Sequence, residues 1–299
     1  MDRFHLMNVY VAVAEEQGFA SGARRLGLSP PAVTRAVAAL EKRLGVKLLN
    51  RTTRHVRTTE AGQRYLEDAR SVLAAADAVD ESISGANAVP RGRLTVTAPV
   101  MFGRMFVMPA IVDYLQKFPD TEISALFLDR DVNLLEEGVD VAVRIGDLPD
   151  SSLRALPVGS VRQVVCASPA YLRSHGKPSS PEELAGHSLI VSSAVSKNPN
   201  WRFSSEQGDR SPRLKPRLTV TSNDAAIEAA LRGFGITRLL SYQVARHVAD
   251  SELQLLLEAF EPESRPIHVV HREGRLASAT VRSFIDFTAA KLRADKLLN

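Results

Sequence analysis

Apolar residues recur every three or four positions at the start of the chain. Leu6, Tyr10, Val13 and Ala14 fall on one stripe, which predicts an amphipathic helix from about Asp2 to Glu16, closed by Gly18. A second, short helix is expected over residues 21–26, with Ala23 and Leu26 inward and Arg24 and Arg25 outward. Gly27 then offers the left-handed conformation that a residue with a Cβ resists. Ser29 stands where an N-cap belongs, Pro30 and Pro31 occupy the first turn, and Val33, Val37, Leu40 and Leu44 form the inner stripe of a third helix. Two helices joined by a glycine turn predict a helix-turn-helix over about residues 19–38, the second helix being of the kind that enters a DNA major groove. Short β-prone pieces at 46–49 and 55–58, with Arg51, Thr52, Thr53 and Arg54 at the tip, predict a wing.

The pattern then narrows. Over about residues 59–85, Tyr65, Ala69, Val72, Ala76, Val79 and Ile83 alternate at spacings of four and three, a coiled-coil seam rather than a broad core face. Such a seam needs a partner helix, although packing on the winged segment of the same chain is the alternative. After a short hinge at 86–91, strand and helix patterns alternate. Strands are expected at 93–97, 123–127, 139–145, 160–168, 189–192, 217–221 and 266–271, with Thr237 on a further strand after Gly235. Helices are expected at 108–118, at Leu134-Leu135, from Pro181 behind a capping box, at 223–233 on Ile227, Ala230, Leu231 and Phe234, and at 278–292. This alternation predicts mainly parallel α/β layering. The fold class is α/β overall, with an all-α winged head.

Charge sharpens the reading of the head. Between Arg24 and Arg57 the chain carries Lys or Arg at 24, 25, 35, 42, 43, 47, 51, 54 and 57, against the single acid Glu41. A cluster of one sign beside a helix pair is the footprint of a polyanion binder. A basic tip beside a recognition helix can also reach an adjacent minor groove. The chain's formal net charge is only +4, so the clustering and not the total is informative.

Composition bounds the rest. A chain of 299 residues that is 44% hydrophobic can bury full cores and suggests about two domains. The single cysteine, Cys166, excludes an intrachain disulfide and reads as a small core residue. No apolar run approaches the length of about eighteen residues that a membrane span needs. The N-terminus lacks the pattern of a signal peptide, so a cytoplasmic protein is expected.

The run GFASGARRLGLSPPAVTRAVAALEKRLGVKLLNRTTRHVRTTEAG resembles the N-terminal winged helix of LysR-type transcriptional regulators at nearly every position. In length and element order the resemblance extends over the whole chain, more weakly beyond residue 90. It implies that Ser29, Pro30, Pro31, Ala32, Thr34 and Arg35 meet the groove, and that Arg51, Thr53 and Arg54 act from the wing. Pro30 stands where many relatives have Gln, exchanging a bidentate adenine contact for apolar surface. Gly22 replaces the usual Ala at a propensity cost of about 1 kcal/mol.

The resemblance further implies three domains: a winged head at 1–59, a linker helix and hinge at 60–91, and an effector domain at 92–299. The effector domain would be a two-lobe α/β fold of the periplasmic-binding-protein type (type 2), lobe one holding 92–161 and 266–299 and lobe two 162–265. The crevice between such lobes binds a small ligand at strand ends and helix N-termini. Candidates there are Pro99, Val100, Met101 and Phe102 after the first strand, Ser222 and Asn223 at a helix start, and Thr237. Asp129, Arg144 and Ser193 at nearby strand ends complete the set. Met101 stands where many relatives carry a hydroxyl. Ser222, Asn223 and Arg144 have ordinary alternatives as helix caps or surface ion-pair members. The implied partners are double-stranded promoter DNA, an unidentified small effector, and further copies of the chain as a dimer and tetramer.

Catalysis finds no support. Gly233-Phe234-Gly235 follows a helix and lacks the third glycine of a dinucleotide fingerprint. Gly186-His187-Ser188-Leu189-Ile190 lacks the last glycine of a nucleophile elbow. The seven histidines show no metal-ligand spacing, and no cofactor or metal is expected. An α/β enzyme with a DNA-binding head and a purely architectural DNA binder remain as alternatives.

Overall fold

The computed structural model describes residues 2–51, 56–83, 89–148, 153–194, 201–205, 208–272 and 278–298. The chain forms two compact units, one over Met1–Val89 with Gly274–Ala279 and one over Pro90–Glu273 with Thr280–Asn299.

In the first unit, α1 (Arg3–Glu15), α2 (Phe19–Arg25) and α3 (Pro30–Leu44) are followed by a two-stranded ribbon, β1 (Leu49–Arg51) against β2 (Val56–Thr58), and by α4 (Glu60–Ile83). α1 buries Leu6, Met7 and every residue from Val9 to Val13, so it is the hydrophobic centre of the unit and not a surface helix with one apolar stripe. Its end is set by Gln17, at φ 50, while Gly18 is extended at the N-cap of α2. Gly22 lies so close to α1 that a Cβ there would stand 3.1 Å from the Val13 backbone. Close helix packing thus offsets its poor propensity. α3 buries Val33, Ala36, Val37 and Leu40, whereas Leu44 is exposed beside the left-handed Gly45 that ends the helix.

Thr59 caps α4 by accepting the Gly62 amide proton at 2.9 Å. Tyr10 Oη donates to the Gly62 carbonyl at 2.8 Å, and the Tyr10 and Tyr65 rings meet edge to face at 5.5 Å. Leu66 and Ala69 are buried in the same core, with Tyr65 and Leu73 packed against it. Two members of the expected seam, Tyr65 and Ala69, therefore serve the winged unit itself. Val72 is exposed, and the side chains of Val79 and Ile83 lie outside the described residues.

The second unit holds two five-stranded sheets. The first comprises β3 (Gly92–Ala98), β4 (Thr121–Phe127), β5 (Val141–Ile145), β6 (Leu153–Val161) and β12 (Arg265–Arg272), in the order β4-β3-β5-β12-β6. The second comprises β7 (Gln163–Ala167), β8 (Leu189–Ser192), β9 (Leu218–Val220), β10 (Ile236–Leu240) and β11 (Gln254–Leu256), in the order β11-β7-β10-β8-β9. The chain passes between sheets at Arg162 and again between Leu256 and Arg265. The strands on either side of these crossings pair antiparallel, β12 with β5 and β6, and β7 with β10 and β11. The sheets are therefore mixed rather than mainly parallel.

Helical turns α5 (Val100–Phe102), a π turn (Gly103–Val107) and α6 (Met108–Lys117) follow one another without a break. The Met108 amide bonds back to the Gly103 carbonyl, and this wider turn takes in Pro109 without stopping the helix. α7 (Pro169–His175), α8 (Asn223–Leu231), α9 (Ser241–Ala249) and α10 (Ala279–Ala294) complete the unit. Leu134-Leu135 form turns and not a helix, with Leu135 exposed. The helix at Pro181–Gly186 is 3-10, and Glu183 reaches back to the Ser179 amide rather than completing a box with Ser180. Phe234, expected inside, is exposed and lies under the Arg217 guanidinium.

Candidate functional sites: a basic helix pair and an interlobe cavity

Ser29 is the N-cap of α3, but its hydroxyl makes no cap bond. Pro30 and Pro31 have no amide proton to offer, and the amides of Ala32 and Val33 already bond to the Ser29 carbonyl at 2.9 and 3.1 Å. The hydroxyl is exposed at the start of the helix, beside Pro30 and Pro31. Ala32 and Thr34 are half-buried, and Thr34 Oγ1 donates to the Pro30 carbonyl at 2.9 Å, leaving its lone pairs outward. Arg35 is exposed on the same helix.

Arg24, Arg35, Lys42, Arg43, Lys47 and Arg57 are all exposed, and none has a carboxylate partner among the described residues. The one acid of the stretch is committed elsewhere: Glu41 Oε1 accepts the Leu48 and Leu49 amides at 2.8 and 3.1 Å, fixing the entry to the ribbon. Arg25 instead joins Arg70 on Glu15, at 2.6 and 2.7 Å, tying α1, α2 and α4 together. Burial raises the Glu15 pKa, but the two arginines outweigh it and hold the carboxyl below its usual range. The Arg51 backbone pairs with Val56, while Thr53 and Arg54 lie outside the described residues.

In the second unit a cavity of about 1360 Å³ opens at the carboxyl ends of β3, β4, β5, β8 and β9. Of the residues expected there, Pro99, Asp129, Arg144, Ser193 and Asn223 line it. Asp129 Oδ1 accepts the Val100 amide at 2.9 Å and so caps the helix that starts there. Arg144 donates to the Val132 carbonyl at 2.6 Å. Asn223 is 4% exposed, and its Oδ1 has no hydrogen-bond partner.

The other expected residues are not on the wall. Val100 is exposed at the start of its helix. Met101 and Phe102 point into the core, where Phe102 meets Tyr242 edge to face at 5.4 Å. Ser222 Oγ is spent on the Ala225 amide at 3.3 Å, an ordinary N-cap. Thr237 is fully buried and donates to the Ile190 carbonyl at 3.1 Å. The wall also includes Tyr242, Gln243 and Arg265, which sequence reasoning missed. Tyr242 and Gln243 open α9 directly after β10, a strand-to-helix junction of the kind already used to pick Asn223. Arg265 stands at the end of the return crossing, as the first residue of β12.

Phe106 packs on Tyr242 at 5.5 Å, and Arg104 reaches Asp224 at 3.2 Å from the facing lobe. The lobes thus share one apolar core behind the cavity. Cys166 is buried in that core, its thiol pushed up to about 12 by burial, which makes it a poor nucleophile. Among the described residues no group of acids, histidines or cysteines could hold a metal ion, and no helix is long and apolar enough to cross a membrane.

Residues 4–63 match the family of bacterial regulatory helix-turn-helix proteins of the lysR type, and residues 87–293 match the LysR substrate binding domain. The chain is 32% identical to the HTH-type transcriptional regulator CrgA of Neisseria meningitidis serogroup B over 287 residues, 96% of each chain. It is also 32% identical to the HTH-type transcriptional repressor PA14_22550 of Pseudomonas aeruginosa, over 96% of this chain and 91% of that one. The solved structure of CrgA superimposes with a TM-score of 0.62 over 98% of this chain and 99% of that chain. Full-length AphB of Vibrio cholerae superimposes with a TM-score of 0.61 at 27% identity, over 97% of this chain and 99% of that chain. The exposed cations around a helix-turn-helix, without a carboxylate partner among the described residues, and the ligand-sized cavity between two lobes belong together: the chain is a member of the LysR family of DNA-binding transcriptional regulators, a winged head followed in sequence by an effector-binding domain.

Proposed function

We propose that the chain binds a pseudo-palindromic promoter site in the cytoplasm as a dimer, assembled further into a tetramer, and that an effector in the interlobe cavity alters this binding. The observation that carries the reading is the set of six exposed cations around α3 with no carboxylate partner among the described residues. α3 enters the major groove, with Ser29, Pro30, Pro31, Ala32, Thr34 and Arg35 at its leading end, while Arg51, Thr53 and Arg54 act from the wing. With proline at position 30, Arg35 and DNA shape carry more of the readout. The dimer contact uses α4 from Val72 onward, since Tyr65 and Ala69 are committed to the winged core.

Unequal binding of the effector to two lobe arrangements is what links the cavity to DNA. Because Phe102, Phe106 and Tyr242 pack across the lobes, the change is a repacking at Tyr242 rather than a wide opening. Footprinting on the DNA upstream of the chain's own gene, followed by genome-wide selected DNA, tests the reading. Protection over two spaced half-sites is expected, with Arg35→Ala and Arg54→Ala each weakening it. Full protection by both variants contradicts the residue assignment, and no protection on any DNA contradicts the function.

A further inference from the structure

The charges behind the cavity are not balanced. Arg265 lines the cavity and has no carboxylate partner among the described residues. Its guanidinium stands close enough to Arg238 on β10 to disfavour the charge there. Arg238 is itself half-buried. It donates to the Arg202 carbonyl at 2.8 Å and lies over the Trp201 and Phe203 rings, and no described acid neutralises it. Burial, with Arg265 adding to it, lowers the Arg238 pKa to about 10. Arg144, also on the wall, is met among the described residues only by a backbone carbonyl. Two neighbouring, half-buried cations without a counter-charge among the described residues are costly until an anion arrives.

The acids on the wall do not supply that anion. The Asp129 carboxylate is held by the Val100 amide, and the carboxylates of Asp131 and Asp147 are exposed to solvent with no arginine partner among the described residues. Asn223 makes the opposite demand. It is the first residue of α8, is 4% exposed and lines the cavity, and its Oδ1 accepts nothing. A buried acceptor without a donor is costly, and a bound N–H or O–H would recover that cost. Leu128, Val132, Leu148 and Leu240 on the same wall provide apolar surface for the body of a ligand.

Accepting the cavity as the effector site, we propose that the effector is a carboxylic acid carrying a hydrogen-bond donor, a 2-hydroxy or 2-amino acid with an apolar body. Its carboxylate meets Arg265, with Arg144 beside it, and its hydroxyl or amino group donates to Asn223.

The test is isothermal calorimetry and thermal denaturation of the full chain with three matched series. These are hydroxy acids (mandelate, 2-hydroxyisocaproate), simple acids (phenylacetate, 4-methylvalerate) and uncharged diols of the same bodies. Phenylglycine and leucine form an arm that separates an amino from a hydroxyl donor; binding by either arm above the simple acids supports the inference. Hydroxy or amino acids are expected to bind about tenfold or more tightly than simple acids, and diols least. Asn223→Ala should reduce them to the level of simple acids, and Arg265→Gln should remove the preference for acids, which Arg265→Lys should partly restore. Diols binding as well as acids, no compound of any series binding, or unchanged selectivity in folded Arg265→Gln overturns the inference. DNA binding by the same preparations separates the two failures: DNA bound without any acid bound leaves the regulator standing and removes this ligand class, whereas wild type that binds no DNA removes the regulator.

Discussion

The two units treat arginine alike in one respect. In the winged unit, Arg25 and Arg70 converge on Glu15 and hold three helices, while Arg35 and its exposed neighbours pair with nothing described. In the two-lobe unit, Arg162 is bound to Glu261 at the crossing, while Arg238 and Arg265 have no acid among the described residues. The paired cations are structural, and on the proposals above those without a described acid are where a ligand brings the missing charge. The difference lies in setting. On the head the unpaired charges stand in water, where they cost little and attract an extended polyanion. At and beside the cavity they are half-buried, a setting that suits a small anion and not an extended one.

The largest expected effect comes from breaking one unit alone. A Cβ on Gly62 would fall 2.0 Å from the Leu48 carbonyl oxygen and 2.9 Å from Tyr10 Oη. Gly62→Ala should therefore destabilise the winged unit by about 3 kcal/mol or more, seen in denaturant unfolding and in lost DNA binding. Ligand binding in the cavity should survive. Loss of both together would show that the two kinds of site are not separable.

The two arginine-paired glutamates sharpen the comparison through pH. Burial raises the Glu15 pKa, but two arginines bring it below the unfolded value, so its contribution is present above the unfolded pKa and is lost as pH falls through the folded one. For Glu261 burial dominates over the single Arg162, with Glu258 adding to it, and the folded pKa is raised. Its contribution is present below the unfolded pKa and is lost as pH rises through the folded value. Glu15→Gln should thus flatten the acid loss of the winged unit, and Glu261→Gln should flatten a loss of the two-lobe unit toward neutral pH. Denaturation followed by a reporter in each unit checks the signs, and the same sign for both would contradict the account.

The smallest effect belongs to Arg104 and Asp224. This exposed pair across the lobes should be worth under about 1 kcal/mol, so Arg104→Ala should barely move stability while shifting effector affinity by a small factor.

How much of this was legible in the sequence follows from how local each feature is. The helix pair, the Gly27 turn at φ 64 and the N-cap position of Ser29 come from neighbouring residues, and so could be read. The burial of α1 on most of its surface could not, because it depends on α4 closing over it from fifty residues away. In the two-lobe unit most strands were legible, but their direction was not: β6 and β7 are separated at Arg162 with neither glycine nor proline to mark the break. The cavity was partly legible, since strand ends before a helix or loop bring Pro99, Asp129 and Asn223 to its wall. Met101, Phe102 and Thr237 lie next to such ends and yet face the core, a distinction set by helix phase and strand register. Tyr242 and Gln243 reach the cavity from the junction of β10 and α9, and Arg265 only through the return of the chain.

The most direct test of the central claim is the salt dependence of DNA binding by wild type and Arg35→Ala on one protected site. Unpaired, exposed cations that meet DNA predict a steep linear fall of log affinity with log salt, and a variant weaker at every salt by about 1–3 kcal/mol if Arg35 reads a base. If Arg35 meets a phosphate, the slope should instead drop by about one. A shallow slope for wild type, or a variant indistinguishable in both affinity and slope, would contradict it.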